Sequence, residues 1–109
     1  MPAQIVHLAL KVDSIAEPLA FYQKVFGFTH TGTRRAGPLK DHTSCWLTDG
    51  QVGFTLIQYD SEEAPEAKAV GKGPCIHHFG IAVPPEEFDS YTEMIRKSGC
   101  EIISPPGEN

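Results

Sequence analysis

Two histidines stand at the same point of a motif that occurs twice in this sequence. Residues 4–12 read QIVHLALKV and residues 75–83 read CIHHFGIAV, so that His7 aligns with His78 and Ile5 with Ile76. A repeated motif indicates two like structural modules. Imidazole is a common ligand of transition metals, and one histidine from each module would hold a rigid half of a coordination shell. The repeat therefore predicts one site shared by the two modules, at which the two imidazoles could bind a metal.

The neighbours of the two histidines support this interpretation. Alternate residues of a strand share a face, which places His7 beside Ala9 and His78 beside Gly80. Small neighbours leave a hollow around the imidazoles. The alternative is a pair of core or edge histidines that a repeat happens to align. His77 is expected on the face opposite His78, in a packing or supporting role.

Length and composition limit the classes of protein to which the chain can belong. Its 109 residues suit one domain or two tightly packed half-domains. Nine basic against 14 acidic residues give a net charge of −5, which argues against a nucleic-acid partner. No apolar run is long enough to span a membrane. Three cysteines without a C-x-x-C pair indicate reduced thiols, and we expect a cytoplasmic protein.

The elements that must position the histidines can be read from the hydrophobic pattern. The first copy predicts a strand with one apolar face, then a helix capped by Asp13 or Ser14 and ended by Gly27. Strands are predicted over 28–35, 42–48 and 51–59, the last two joined by a tight Asp-Gly turn. Residues 1–60 therefore form a β-α-β-β-β module.

The second copy repeats this order but is shorter. Residues 61–74 are rich in Glu, Ala, Gly and Pro and predict a solvated connector. Residues 75–109 predict a strand, a helix over about 85–97 and a strand from Glu101 onward, without the two further strands of the first copy. Such a sheet has an open edge. We expect a longer natural C-terminus or a second copy, as in a homodimer, to cover it.

The repeated module with its I-x-H-x-x-L-x-V first strand resembles the vicinal oxygen chelate superfamily, which includes glyoxalase, bleomycin resistance proteins and extradiol dioxygenases. The resemblance implies an α+β fold in which two βαβββ modules form a curved open barrel around a divalent metal. The second module is incomplete in this chain.

By this resemblance, His7 and His78 match the metal-binding histidines of the family. The family's ligand on the fourth strand, usually Glu or Gln, falls on Thr55, which is a poor ligand. Gln58 is expected on the opposite face of that strand. The family's last ligand, a glutamate on the eighth strand, is not in this sequence. The departure at Thr55 favours relatives with a two-histidine-one-carboxylate site over the four-ligand glyoxalases.

Three residues are candidates for binding the substrate. Arg34 could hold a carboxylate at the mouth of a cleft, although a solvated position is the alternative. Thr55 would lie beside the metal, and Trp46 could line the pocket or pack in the core. Trp46 and Cys45 are neighbours on a strand, so at most one of them can point inward.

The resemblance implies a metal-dependent lyase or isomerase of the glyoxalase type. A divalent Zn, Ni, Mn or Fe(II) ion would bind two neighbouring oxygens of a small substrate and stabilise the anion that forms. Two alternatives remain open at this stage. One is an extradiol-type dioxygenase or a thiol transferase with two histidines and one carboxylate. The other is a metal-free small-molecule-binding protein that resembles bleomycin resistance proteins.

Overall fold

A computed structural model describes residues 3–36 and 41–103 of the chain. Five strands form within these residues, named β1 to β5 in chain order: Gln4–Lys11, Thr29–Ala36, His42–Thr48, Gly53–Tyr59 and Cys75–Ala82. The helices are α1, Ala16–Phe26; α2, Pro65–Val70; and α3, Phe88–Lys97, which follows a 3-10 turn at Pro85–Glu87. The predicted loop over 105–109 lies outside the described residues.

The described residues fall into two compact units. One unit, Ile5–Ile81, contains almost the whole sheet, and the other combines described residues of 1–4 and 82–109. The strand order is β2-β3-β4-β1-β5. Strand β1 pairs in parallel with β4, whereas β3 pairs antiparallel with β2 and with β4. Strands β1 and β5, which carry the repeated motif, are therefore neighbours at one end of the sheet.

One face of the sheet packs against α1, as the alternation of β1 predicts. Four buried side chains from β3 and β4 form the centre of this core: Cys45, Leu47, Phe54 and Leu56. Leu8, Leu10, Leu19 and Tyr22 pack against them from β1 and α1. Gly27 ends α1 in the left-handed conformation at φ 72°, which glycine adopts without steric cost.

A smaller core lies on the opposite face of the sheet. It consists of Ala9, Ile57, Tyr59 and Ala67, the last contributed by α2. Lys11, only 3% exposed, lies on the same face of β1 as Ala9, and its ammonium group donates to Glu62 and to the carbonyl of Gly71. The Lys11–Glu62 ion pair closes at 2.7 Å. These contacts attach residues 61–74 to β1.

The segment predicted as a solvated connector therefore contains structure that its sequence pattern does not reveal. Residues 65–70 form α2, and Ala67 is fully buried. A helix of six residues is too short for apolar periodicity to be visible, and tertiary packing stabilises it instead. Pro65 at its first turn was the available signal.

Three local predictions need correction. Neither Asp13 nor Ser14 caps α1; the Gln58 side-chain oxygen instead accepts the Ile15 N–H at 2.9 Å. The turn predicted as a tight Asp-Gly pair is instead a four-residue loop over 49–52. The Asp49 carboxylate accepts the N–H groups of Gln51 and Val52, so β4 begins only at residue 53. Residues 101–103, predicted to begin a strand, form none, since a strand requires a paired neighbour.

The second unit contains the 3-10 turn and α3. The helix ends at Lys97, and Gly99 follows it at φ 92°. Across the described ranges 3–36 and 41–103, none of the helices combines the length and the apolar character that a membrane crossing requires.

Candidate metal site at His7 and His78

The side chains of His7 and His78 meet. Their Nε2 atoms are 3.1 Å apart and their ring centroids 4.9 Å apart. The fold explains the contact, because β1 and β5 are adjacent strands and the motif repeat places the two histidines on the same face. Gly80, two residues beyond His78, lies directly beside His7 and leaves space for its ring.

The distance between the two nitrogens suits a pair of ligands to one ion. Nitrogen ligands about 2.0–2.1 Å from a metal, at an angle of about 90–110°, lie about 2.8–3.4 Å apart. The observed 3.1 Å falls within this range. Without an ion, the same two nitrogens share a hydrogen bond. The donor set thus fits half of a coordination shell made of imidazoles.

The described residues supply only these two donors to the site. No group of three or more His, Cys, Asp or Glu side chains in residues 3–36 and 41–103 has an arrangement that could hold a metal ion. A third ligand from the fourth strand would have to come from the Thr55 position. The register pairs Thr55 with Ala9, so it shares the face of His7 and stands diagonally from it.

The three predicted substrate-binding residues lie on this face as well. The register places Trp46 opposite Thr55, and the Arg34 guanidinium carbon lies 5.2 Å from the centre of the Trp46 ring. Cys45 points to the helix-side core. Trp46, the next residue along β3, therefore faces the side of the sheet that carries His7. We call these three residues, Arg34, Trp46 and Thr55, the substrate row, after their predicted role.

Gln58 lies on the other face, as predicted, where it binds the start of α1. It is therefore not positioned to replace Thr55 as a ligand. His30 forms hydrogen bonds with Gly32 and Thr33 on β2, and His42 pairs with Asp41 at 2.9 Å. Neither histidine contacts His7 or His78 among the described residues.

His77 makes contacts that strand alternation does not predict. Its Nδ1 atom is 2.8 Å from Nδ1 of His78, although the two residues are consecutive in β5. Its Nε2 atom is 2.9 Å from the Tyr59 hydroxyl, which in turn donates to Glu66 at 2.5 Å. Glu66 is also 3.3 Å from His77 Nε2. We call Glu66, Tyr59 and His77 the supporting chain.

The electrostatics favour neutral imidazoles at His7 and His77. Partial burial lowers the pKa of His7, and the neighbouring His78 lowers it further. Burial also lowers the pKa of His77, with His78 as the next cause, although Glu66 opposes the change. Burial and the hydrogen bond to Glu66 raise the pKa of Tyr59, which keeps its proton. Neutral imidazole is the form that binds a metal.

Glu66 is the member of this cluster that sequence reasoning missed. It lies in the connector, on α2, and the helix brings it to Tyr59. The only signal was the short Pro-Glu-Ala stretch that opens α2. Lys11 was also missed as a buried charge, because its partner Glu62 is 51 residues away.

Solved structures show the same fold. Hypothetical protein BH1468 from Bacillus halodurans C-125 superimposes with a TM-score of 0.76 at 26% identity, over 98% of this chain and 78% of that one. Methylmalonyl-CoA epimerase from Mycobacterium tuberculosis superimposes with a TM-score of 0.73 at 16% identity, over 92% of this chain and 67% of that one. A Streptomyces coelicolor methylmalonyl-CoA epimerase in complex with 2-nitronate-propionyl-CoA superimposes with a TM-score of 0.71 at 18% identity, over 95% of this chain and 77% of that one.

These superpositions confirm the predicted α+β fold class and its arrangement of modules. A search among curated proteins found no match. The sequence profile of the Glyoxalase/Bleomycin resistance protein/Dioxygenase superfamily matches residues 4–109. Because this match covers nearly the whole sequence, the chain belongs to the Glyoxalase/Bleomycin resistance protein/Dioxygenase superfamily.

Proposed function

We propose that this protein is a metal-dependent enzyme of the isomerase type, in which His7 and His78 hold a divalent cation. The observation that carries the proposal is the 3.1 Å separation of the two Nε2 atoms. A bound cation would supply the positive charge that stabilises an enolate oxygen. Two neighbouring oxygens of a small substrate would complete its coordination.

The residues of the substrate row would hold and orient this substrate. The Arg34 guanidinium, aligned over Trp46, can bind a carboxylate through two parallel hydrogen bonds. Thr55 offers a neutral hydroxyl on the face of the sheet that carries His7. Among the alternatives, the likeness to methylmalonyl-CoA epimerases favours movement of a proton at a carbon next to a carbonyl over oxygenation or thiol transfer.

Metal binding is the first test. The protein is purified without a histidine tag, its metal content is measured, and Zn, Ni, Mn and Fe(II) are titrated into it. We expect about one ion per chain, and loss of binding in both His7→Ala and His78→Ala. His30→Ala is the matched control, because the hydrogen bonds of its imidazole to described residues lie within β2. Unchanged binding in both histidine variants would contradict the proposal.

The reaction is tested by hydrogen exchange. Methylmalonyl-CoA is incubated with metal-loaded protein in deuterated water, and deuterium at the carbon between the two carbonyl groups is measured by mass spectrometry. We expect exchange faster than in His78→Ala and in protein-free buffer. Metal binding without exchange on this probe or on glutathione hemithioacetals would count against the isomerase reaction.

A metal-free binding protein is the second candidate. It is favoured by the presence of only two donors among the described residues and by the neutral Thr55. Less than about a tenth of an equivalent of metal, with no gain on titration, would support it over the enzyme.

We also propose that the protein works in the cytoplasm, as its reduced cysteines favour, and as a homodimer. Within the described residues β5 is an edge strand, and its Ile76, Phe79 and Ile81 are exposed by 68%, 60% and 58%. Exposed apolar side chains on an edge strand favour coverage by another chain. Light scattering at several concentrations should give twice the chain mass, and Phe79→Asp should give the single mass. A monomeric wild type would contradict the dimer.

A further inference from the structure

We propose that the supporting chain of Glu66, Tyr59 and His77 fixes the tautomer of His78, so that its Nε2 lone pair points towards His7. This inference rests on the proposed metal role of His7 and His78 and adds the residues that prepare one of the two ligands. It assigns a positioning role to α2, the short helix between the two motif copies.

The direction of each hydrogen bond follows from the anchoring carboxylate. An ionised Glu66 only accepts, so the Tyr59 hydroxyl donates its single proton to it across 2.5 Å. The Tyr59 oxygen is then left to accept, and His77 Nε2, at 2.9 Å, must be the donor. The 3.3 Å contact of His77 Nε2 with Glu66 requires the same donor.

The same reasoning gives the proton position of His78, the proposed metal ligand. A neutral imidazole that carries its proton on Nε2 presents a lone pair at Nδ1. His77 Nδ1 therefore accepts from His78 Nδ1, which lies 2.8 Å away. With its proton on Nδ1, His78 has a free lone pair on Nε2, the atom that faces His7. The Glu66 carboxylate on α2 thus determines the proton positions of three further groups, Tyr59, His77 and His78, as inferred from the hydrogen-bond network.

This arrangement has a physical purpose in a metal site. Metal-binding histidines generally donate their second ring N–H to a fixed partner, which sets the tautomer and the ring orientation. His78 is exposed and lies on the edge strand of the described sheet, so little packing holds its ring. The partially buried His77, packed parallel to the Tyr59 ring at 6.2 Å, supplies the rigid acceptor.

The first test needs no metal. Nitrogen-15 NMR of the histidine rings reports which nitrogen carries the proton, at a pH about 1.5 units above the ordinary imidazole value of about 6.5. We expect the Nδ1–H tautomer at His78 in the wild-type protein. In Tyr59→Phe and Glu66→Gln we expect a shift towards the Nε2–H tautomer. A wild-type His78 that carries its proton on Nε2 would overturn the inference.

The second test measures affinity for Zn or Co(II). His77→Ala should weaken binding by about 10–100-fold without abolishing it. His77→Asn should recover most of the affinity, because the Asn oxygen stands near the lost Nδ1 acceptor, whereas His77→Gln should not. Glu63→Gln is the matched control for Glu66→Gln, since Glu63 pairs with Lys68 at the surface.

The outcomes separate this inference from the proposed function. If His7→Ala and His78→Ala lose metal while all His77 variants bind as the wild type does, the metal site stands and the positioning role is wrong. If His7→Ala and His78→Ala still bind metal as the wild type does, the proposed function is wrong, and the tautomer of His78 alone tests this inference. Should His77→Ala not fold, the wild-type tautomer and the Tyr59→Phe variant still decide the question.

Discussion

Gly80 of β5 lies so close to His7 of β1 that any side chain at this position would press on His7. A β-carbon at Gly80 would stand 3.2 Å from the His7 β-carbon and 3.8 Å from its Cδ2 atom. Gly53 flanks His7 from β4, where a β-carbon would stand 3.6 Å from Nδ1. The His7 ring is thus bordered by a glycine on each neighbouring strand.

Gly80→Ala should displace His7 and weaken metal binding. The added methyl group lies closer than ordinary contact, and overpacking of this kind costs about 1–3 kcal/mol of stability. We expect at least about a tenfold loss in metal affinity, equal to about 1.4 kcal/mol. Calorimetric titration and denaturant unfolding measure both effects.

Gly53→Ala is the control for this change. Its β-carbon would lie 3.5 Å from the Val6 carbonyl oxygen, which is ordinary contact. Affinity should therefore stay near that of the wild type. An equal loss of metal affinity in Gly80→Ala and Gly53→Ala would show that the close contact of Gly80 with His7 does not determine affinity.

Thr55→Glu should create the third ligand that the described residues lack. Thr55 is 4% exposed and shares the face of His7, so a carboxylate there reaches towards the metal. Without metal, the buried charge should lower the melting temperature. With metal, we expect affinity to rise about tenfold, and Thr55→Ala to change it little.

Gln58→Glu is the matched control, because the same carboxylate then lies on the α1 face of β4. No gain in affinity is expected from it. A gain of the same size at both positions would mean that net charge, and not coordination, strengthens binding.

Stability should fall in acid because three described carboxylates, Asp49, Asp60 and Glu62, have lowered pKa values. The hydrogen bond from Lys11 lowers the pKa of Glu62 from its ordinary 4.5, and the hydrogen bond from Arg35 lowers the pKa of Asp60 from its ordinary 3.8. The unfolded chain therefore takes up protons first as the pH falls. The stabilisation is complete above about pH 4.5 and is lost progressively as the pH falls through the folded values.

Urea unfolding between pH 7 and pH 3 measures this dependence. Glu62→Gln should reduce the change in stability with pH and lower stability at neutral pH, since buried Lys11 then loses its charged partner. Glu63→Gln, which removes an exposed pair with Lys68, should leave the profile unchanged. Identical profiles for Glu62→Gln and the wild type would refute the role of this ion pair.

Arg34→Ala should weaken the binding of a substrate that carries a carboxylate. A charged hydrogen bond contributes about 1.5–3 kcal/mol, so KM should rise about ten- to a hundredfold with a smaller change in kcat. Arg34→Lys should recover part of this. Arg35→Ala is the control: Arg35 binds Asp60 through two contacts of 2.6 and 2.7 Å, so its loss should affect stability and not KM.

The pairing of His7 with His78 could be predicted because it depends on two regular features. Strand alternation fixes the face of each histidine, and the motif repeat implies equivalent places in the fold. The contact between Arg34 and Trp46 was less accessible, since it depends on the register between β2 and β3 and on the irregularity between His30 and Gly32.

The supporting chain could not be predicted, and the reason is physical. Glu66 lies on a helix too short to show periodicity, and its contact with Tyr59 depends on how residues 61–74 fold back onto β1. The helix cap from Gln58 likewise joins residues 43 apart. Such polar contacts follow from the tertiary arrangement, which local sequence patterns do not encode.

The position of Trp46 allows its intrinsic fluorescence to report on the site. It is the single tryptophan of the sequence and lies on the histidine side of the sheet, with the Arg34 guanidinium over its ring. Because a nearby positive charge and any ligand that displaces it change indole emission, intrinsic fluorescence should follow occupancy of the substrate row without a label. A paramagnetic ion such as Cu(II) or Co(II), held between the two imidazoles, should quench the same emission, so one optical signal can follow both halves of the site.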